Sequence, residues 1–283
     1  MNRRTFVLAA VLALCGLGAA RVGGKSAVQV GYCSTLAEID AAKAAGFDYL
    51  ELRTTEIAAL PDAEFETLTT RLKTARIPVP VTNYFLPGSV KVTGPAIDKA
   101  KQIEYVRKAF DRVSRLGVGI VVFGSSGARN VPEGFSHDEA YGQLVDFLKR
   151  IAPEAKARNL TVAIEPLRKQ ESNIINTAEQ GLALVKAVND PNIELMVDFY
   201  HLAFEKENPE IVVTAREHIR HLHMANPQGR VFPLKFDEYD YAGFFEKLRQ
   251  TGYDKRISVE AGTKDLGTEG PQAIAVLRRA FEP

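Results

Sequence analysis

Four apolar runs in the second half of this 283-residue chain each lead into a side chain that can hold a cation or carry a proton. Leu160-Thr-Val-Ala-Ile leads into Glu165, Ile193-Glu-Leu-Met-Val into Asp198 and Ile257-Ser-Val into Glu260, while Ile219-Arg-His-Leu carries His221 and ends at His223. An ionised carboxylate beside a buried apolar run is costly unless it is paired or binds a metal. Each residue alone has a plain alternative: Glu165 opening a solvated loop, Asp198 capping the segment that follows, His223 satisfied inside a core. Four on successive runs call for a common cause. Three carboxylates and an imidazole form a hard, oxygen-rich set suited to Mn²⁺ or Mg²⁺, with Co²⁺ or Zn²⁺ as alternatives. His221 shares a strand face with His223 by the period of two but lies one layer deeper, which reads as support or core rather than ligand.

For these groups to meet, the elements that carry them must converge. Short β-branched or apolar runs at 27–33, 47–52, 79–83, 120–123, 161–165, 194–198, 219–224 and 257–260 read as eight strands, separated by amphipathic stretches. Helix starts are marked by Thr35-Leu-Ala-Glu38, Ser136-His-Asp-Glu139 and Thr177-Ala-Glu-Gln180, and by Asn208-Pro209 with proline at a first helical position. Gly46, Gly117 and Gly252 fall where helices should stop. Eight βα units in about 260 residues match a single (β/α)₈ TIM barrel over 27–283, in which residues at the carboxyl ends of the strands share one mouth. A doubly wound sheet is the other architecture, but its first strand would open into GxGxxG, whereas here it ends Gly31-Tyr-Cys-Ser34. The stretch 125–135 is the longest glycine- and proline-rich insertion after a strand and reads as a substrate wall or lid. Overlapping its start, Gly124-Ser-Ser-Gly127-Ala-Arg129 is open to two readings, an anion cradle or a tight turn.

The stretch Glu165-Pro-Leu-Arg-Lys-Gln-Glu171-Ser-Asn-Ile-Ile-Asn-Thr177, with Asp198-Phe-Tyr-His201, His221-Leu-His223-Met-Ala-Asn and Ser258-Val-Glu260, resembles the xylose-isomerase-like sugar isomerase and epimerase superfamily. The likeness is greatest to its ketose 3-epimerase and hydroxypyruvate isomerase branch. The resemblance implies that Glu165, Asp198, His223 and Glu260 bind one divalent metal. It also implies that Glu171 and His201 contact the substrate's carbonyl and hydroxyl region. Arg230 resembles the branch's substrate-binding arginine, but follows His223 by seven residues where the branch has six.

Chelation of a sugar's carbonyl and adjacent hydroxyl by a metal acidifies the C–H bond between them and stabilises the enediolate left when the proton goes. Glu165 and Glu260, on strands five and eight, would flank that carbon as catalytic base and acid. Delivery of the proton to the opposite face gives epimerisation, and delivery to the neighbouring carbon gives isomerisation. Expulsion of a leaving group from the next carbon makes the same site a lyase, a dehydratase or a keto-glycoside β-eliminase. The substrate expected is thus a free sugar or a keto-glycoside. Two further classes share the scaffold. Apurinic-site endonucleases need additional histidines from early strands, and here no histidine precedes His137. A non-catalytic sugar-binding barrel would lack one of the ligands or glutamates, and all are in place.

Residues 1–20 read as a cleavable signal peptide: Arg3 and Arg4 precede an apolar stretch, 6–20, that is too short to span a bilayer and ends in small residues. The paired arginines with Thr5 and Phe6 suggest twin-arginine export, with a general secretory signal as the alternative, and hence a periplasmic protein without a stable membrane span. Cys15, after bulky Leu14, is a poor lipidation site. The whole chain carries 36 basic and 35 acidic residues; loss of two arginines leaves the mature chain slightly negative, and one cysteine, Cys33, remains. An intramolecular disulfide is excluded, and the basic stripe expected of a nucleic-acid binder is absent. A homo-oligomer is compatible with all of this.

Overall fold

The computed structural model describes residues 28–282. The expected signal peptide at 1–20, including Arg3, Arg4 and Cys15, and the expected first barrel residue, Ala27, lie outside the described residues. Eight parallel strands close into one ring in sequence order: β1 (Gln29–Ser34), β2 (Tyr49–Arg53), β3 (Val81–Asn83), β4 (Ile120–Phe123), β5 (Thr161–Ile164), β6 (Ile193–Asp198), β7 (Ile219–Met224) and β8 (Arg256–Val259). β8 pairs back onto β1 from Gln29–Arg256 to Tyr32–Val259, which closes the barrel. Helices cover its outside, as parallel sheets require. No helix among the described residues is long and apolar enough to cross a membrane.

The strands differ from the sequence expectation mainly at their edges. β2 and β3 begin two residues later than the apolar runs that announce them. Phe47 and Val79 are buried, but by packing outside the ladder: the Phe47 ring stacks on Tyr32, with centroids 5.3 Å apart. β5 and β8 end one residue before Glu165 and Glu260, although both backbone N–H groups still donate to the neighbouring strand, to Phe123 O at 3.2 Å and Met224 O at 3.0 Å. Gly46, Gly117 and Gly252 stand at helix ends with left-handed backbones. The Asn208-Pro209 expectation is corrected: the helix there begins at Ile211, because Asn208 Oδ1 accepts the Glu210 N–H at 3.0 Å and folds 208–210 into a turn.

Strand alternation sorts the interior into layers. Ala163, Met196, His221 and Ser258 point inward one step below Glu165, Asp198, His223 and Glu260, two residues before each. Tyr49, Val81, Val122, Ala163 and Met196 form a small buried cluster inside the ring, separate from the larger core between strands and helices. Gly31 makes room for the Tyr49 ring, since a Cβ there would overlap it.

Candidate metal centre and acid–base site

The inward layer at the mouth brings together four of the residues singled out from the sequence. One side-chain atom each of Glu165, Asp198, His223 and Glu260 lies within 4.8 Å of all the others. His223 Nδ1 is 3.2 Å from Glu165 Oε1 and 3.5 Å from Glu260 Oε2. Glu165, Asp198 and His223 are buried, and Glu165 Oε1, Asp198 Oδ2 and His223 Nδ1 have no hydrogen-bond partner. Buried polar atoms left unsatisfied cost about 1–3 kcal/mol each, more when charged. Three of them aimed at one point, with three carboxylates among the four groups, fit a divalent cation. Asp198 also meets the plain expectation for it: Oδ1 accepts the Tyr200 N–H at 2.8 Å and caps the helix Phe199–Phe204, which leaves Oδ2 for the site.

The crowding splits the carboxylates. Burial, then Glu260, pushes Asp198 up to about 7. Burial and the same neighbour raise Glu165. Burial would raise Glu260 too, but His223 and Arg230 outweigh it and hold its carboxyl down at about 2. Burial disfavours charge on His223, yet Glu51 and the other anions around the ring hold it well above the ordinary imidazole range.

Gly124, at the end of β4, provides the room for Glu165, because a Cβ there would overlap Glu165 Oε2. Gly124→Ala is therefore expected to displace the tip of a flexible side chain while sparing the backbone. Turnover should fall by about a hundredfold, the cost of roughly 1 Å of misplacement, with an unchanged circular-dichroism melt. Wild-type turnover in this variant would show that the Glu165 position is not critical.

The three expected substrate contacts surround this centre. His201 Nε2 is 3.6 Å from Asp198 Oδ2, and its Nδ1 accepts the Arg168 N–H at 3.2 Å. Burial, then Arg230, depresses His201 to about 3, so at neutral pH the ring carries one proton, on Nε2, facing the site. Arg230 follows a turn in which Asn226 N–H donates to Val231 O at 2.8 Å and both Gly229 and Arg230 have left-handed backbones. The Arg230 guanidinium reaches Glu260 Oε2 at 2.6 Å and lies over the Tyr200 ring at 4.5 Å. Glu171 joins at one remove: it is 3.2 Å from Arg230 Nη1 and 2.7 Å from Arg168 Nε, outside the four-ligand cluster.

Neutral, buried His201 gives a test through acid stability. The unfolded ring takes a proton near pH 6.5 and the folded one only near 3, so the unfolded state binds more protons between these values and stability falls as pH falls. Urea unfolding of metal-free protein should show wild type losing about 2 kcal/mol more than His201→Gln between pH 7 and pH 5. Equal losses would place the proton on the folded ring.

Several residues at the site were missed from the sequence. Glu51, in the middle of β2, bonds to both His221 and His223, which gives His221 the supporting place expected of it. Asn83 Nδ2 donates to Glu260 Oε1 at 3.3 Å. Cys33 Sγ lies 3.8 Å from His223 Nε2. Glu51 was legible by the criterion applied to the later strands, a carboxylate inside an apolar run; Asn83 and Cys33 carry no such signal. Of the two readings of the 125–135 stretch, wall or lid, its anchoring argues against the lid. The stretch holds the short helix Ser126–Arg129, and buried Arg129 donates to Phe123 O at 2.9 Å and Glu165 O at 2.8 Å. Its guanidinium is thus spent on carbonyls beneath the site rather than offered to an anion.

A family model described as a xylose isomerase-like TIM barrel matches residues 39–280. The chain is 29% identical over 178 residues to an L-ribulose 3-epimerase of Methylomonas sp., covering 62% of this chain and 61% of that protein. It therefore spans about three-fifths of the length of that relative. It is 26% identical over 232 residues to a D-psicose 3-epimerase of Agrobacterium fabrum, covering 80% and 78%. The crystal structure of a D-allulose 3-epimerase from Methylomonas sp. in complex with D-allulose superposes with a TM-score of 0.76 at 22% identity, over 90% of this chain and 98% of that one, a likeness of fold. The match over residues 39–280 places the chain in the xylose isomerase-like TIM barrel family.

Proposed function

We propose that the chain is a divalent-metal-dependent epimerase of ketose sugars that moves a proton between Glu165 and Glu260. The observation that carries this reading is the convergence of three unpartnered buried ligand atoms with two carboxylates whose proton affinities are pushed in opposite directions. A divalent ion held by Glu165, Asp198, His223 and Glu260, Mn²⁺ or Mg²⁺ by the chemistry of the donors, would act as a Lewis acid that acidifies the C–H bond beside the sugar carbonyl. Glu260, ionised beside Arg230, is the group ready to take a proton. Glu165, whose proton affinity burial and Glu260 raise, is the better placed of the two to hold and return one. Two carboxylates pushed in opposite directions by their surroundings are the mark of an acid–base pair. His201 Nε2–H and the Arg230 guanidinium supply donors to substrate oxygens, and Glu171 holds Arg230 from the far side. The names of the related epimerases support a ketose substrate.

The test is NMR in deuterium oxide with Mg²⁺ and a panel of free ketoses. Deuterium should enter a carbon next to the carbonyl as the C3 epimer accumulates. A panel without deuterium uptake would overturn the reading, and release of an aglycone from a 3-keto-glycoside would transfer it to the lyase.

The arginine pair and apolar stretch of residues 1–20 support export to the periplasm. N-terminal sequencing of protein from the periplasmic fraction should begin after Ala20. Recovery solely from the cytoplasm with Met1 or Asn2 at its start would refute export.

A further inference from the structure

The carboxylate with the most partners inside the barrel is none of the four proposed ligands. Glu51 is fully buried in β2, and both of its oxygens are engaged. Oε1 lies 2.8 Å from His223 Nε2; Oε2 lies 2.8 Å from His221 Nε2 and accepts the Ser258 hydroxyl at 2.6 Å. Because Ser258 has spent its one proton on Glu51, the Tyr49 hydroxyl, 2.9 Å from Ser258 Oγ, must be the donor in that pair. Two imidazole nitrogens and a hydroxyl converge on the two carboxylate oxygens, which accept from each, so both Nε2 atoms donate to Glu51.

This decides which nitrogen of His223 faces the site. With the Nε2 proton committed to Glu51, Nδ1 is left to turn toward Glu165, Asp198 and Glu260, where it has no hydrogen-bond partner. A ring free to flip or to exchange tautomers would present an N–H to a cation in part of its population. The bond from Glu51 to His223 Nε2 removes that freedom, and His221, Ser258 and Tyr49 hold the carboxylate in turn. Cys33, Glu51 and His223 are also near enough together to hold an ion of their own. Direct contact of Glu51 Oε1 with Nε2, and Cys33 Sγ 3.8 Å from that same nitrogen, leave no free ring nitrogen for one there.

We propose that Glu51 is the positioning residue of the metal centre: by accepting from His223 Nε2 it fixes the tautomer and ring angle that present Nδ1 as a ligand. The proposal rests on the metal-site reading above, and its test separates the two. Mn²⁺ would be titrated calorimetrically into chelator-stripped wild type, Glu51→Gln and Ser258→Ala, each checked for folding by circular dichroism. Loss of a partner behind a metal-bound histidine weakens metal affinity by about 10–100-fold. Glu51→Gln should fall in that range, and Ser258→Ala, which removes only support on Oε2, should fall less. The second variant keeps the test open if the first does not fold. In Mg²⁺-saturated wild type, ¹⁵N NMR should show a slowly exchanging proton on His223 Nε2 and none on Nδ1. Wild-type affinity in a folded Glu51→Gln, or in Ser258→Ala if the first does not fold, would overturn the proposal, as would a proton on Nδ1. Two ions per wild-type chain and one in Glu51→Gln would make Glu51 a ligand and equally overturn it. A wild type that binds no metal would remove the metal-site reading itself.

Discussion

Glu260→Gln is expected to fold as the wild type does and to lose proton exchange, with kcat falling by about 10²–10⁴-fold, the range of a general acid–base group. An amide cannot take the proton that the carboxylate takes. The fold should hold because the new amide can be accommodated: its oxygen can keep the Arg230 Nη2 bond, made at 2.6 Å in the wild type. The amide nitrogen then faces Asn83, whose Nδ2 donates to Glu260 and whose Oδ1 is buried without a partner. A flip of the Asn83 side chain presents that oxygen to the new donor. Deuterium incorporation into the ketose, measured beside a thermal melt, checks both halves of the expectation. A folded variant exchanging within tenfold of wild type would show that the proton travels by another group.

The second large effect is expected on stability. Stripping a bound divalent ion leaves Glu165, Asp198 and Glu260 facing one another around His223 in a buried space. A ligand present at about a hundred times its Kd stabilises the folded state by about 2.7 kcal/mol, and a domain of this size shifts its Tm by about 2–4 °C per kcal/mol. Chelation should therefore lower the Tm by about 5–10 °C, and excess Mn²⁺ should restore it. His223→Gln, which also takes a partner from buried Glu51, should melt below the stripped wild type and respond little to added metal. A Tm indifferent to chelator and metal in the wild type would argue that the carboxylates satisfy one another by sharing protons.

The second half of the barrel was legible because its polar residues break apolar runs at their mouth ends. The period of two then places Glu165, Asp198, His223 and Glu260 in one layer, as the structure has them. His221, placed a layer deeper on the same reasoning, is found there. Glu51 was harder to weigh, since its partners stand at |i−j| of 170 and 172 and a lone acid within a run does not announce them. Strand starts were misjudged where burial and pairing part company, at Phe47 and Val79. The 125–135 stretch looked open by composition, yet composition does not say that Arg129 turns inward to bind carbonyls. Asn208-Pro209 satisfied a helix-start rule, but the asparagine side chain bonded within its own turn first.

The ring order of the strands divides labour between the two halves of the chain. All four proposed ligands come from β5 to β8, while the carboxylate behind His223 comes from β2 and the amide on Glu260 from β3. A fragment holding β5 to β8 would carry every ligand and still lack the groups that orient two of them. Two co-expressed half-barrels could regain affinity only by annealing along both seams, β4 to β5 and β8 to β1. Cation affinity would then report on reassembly of the ring, as complementation does for a split enzyme.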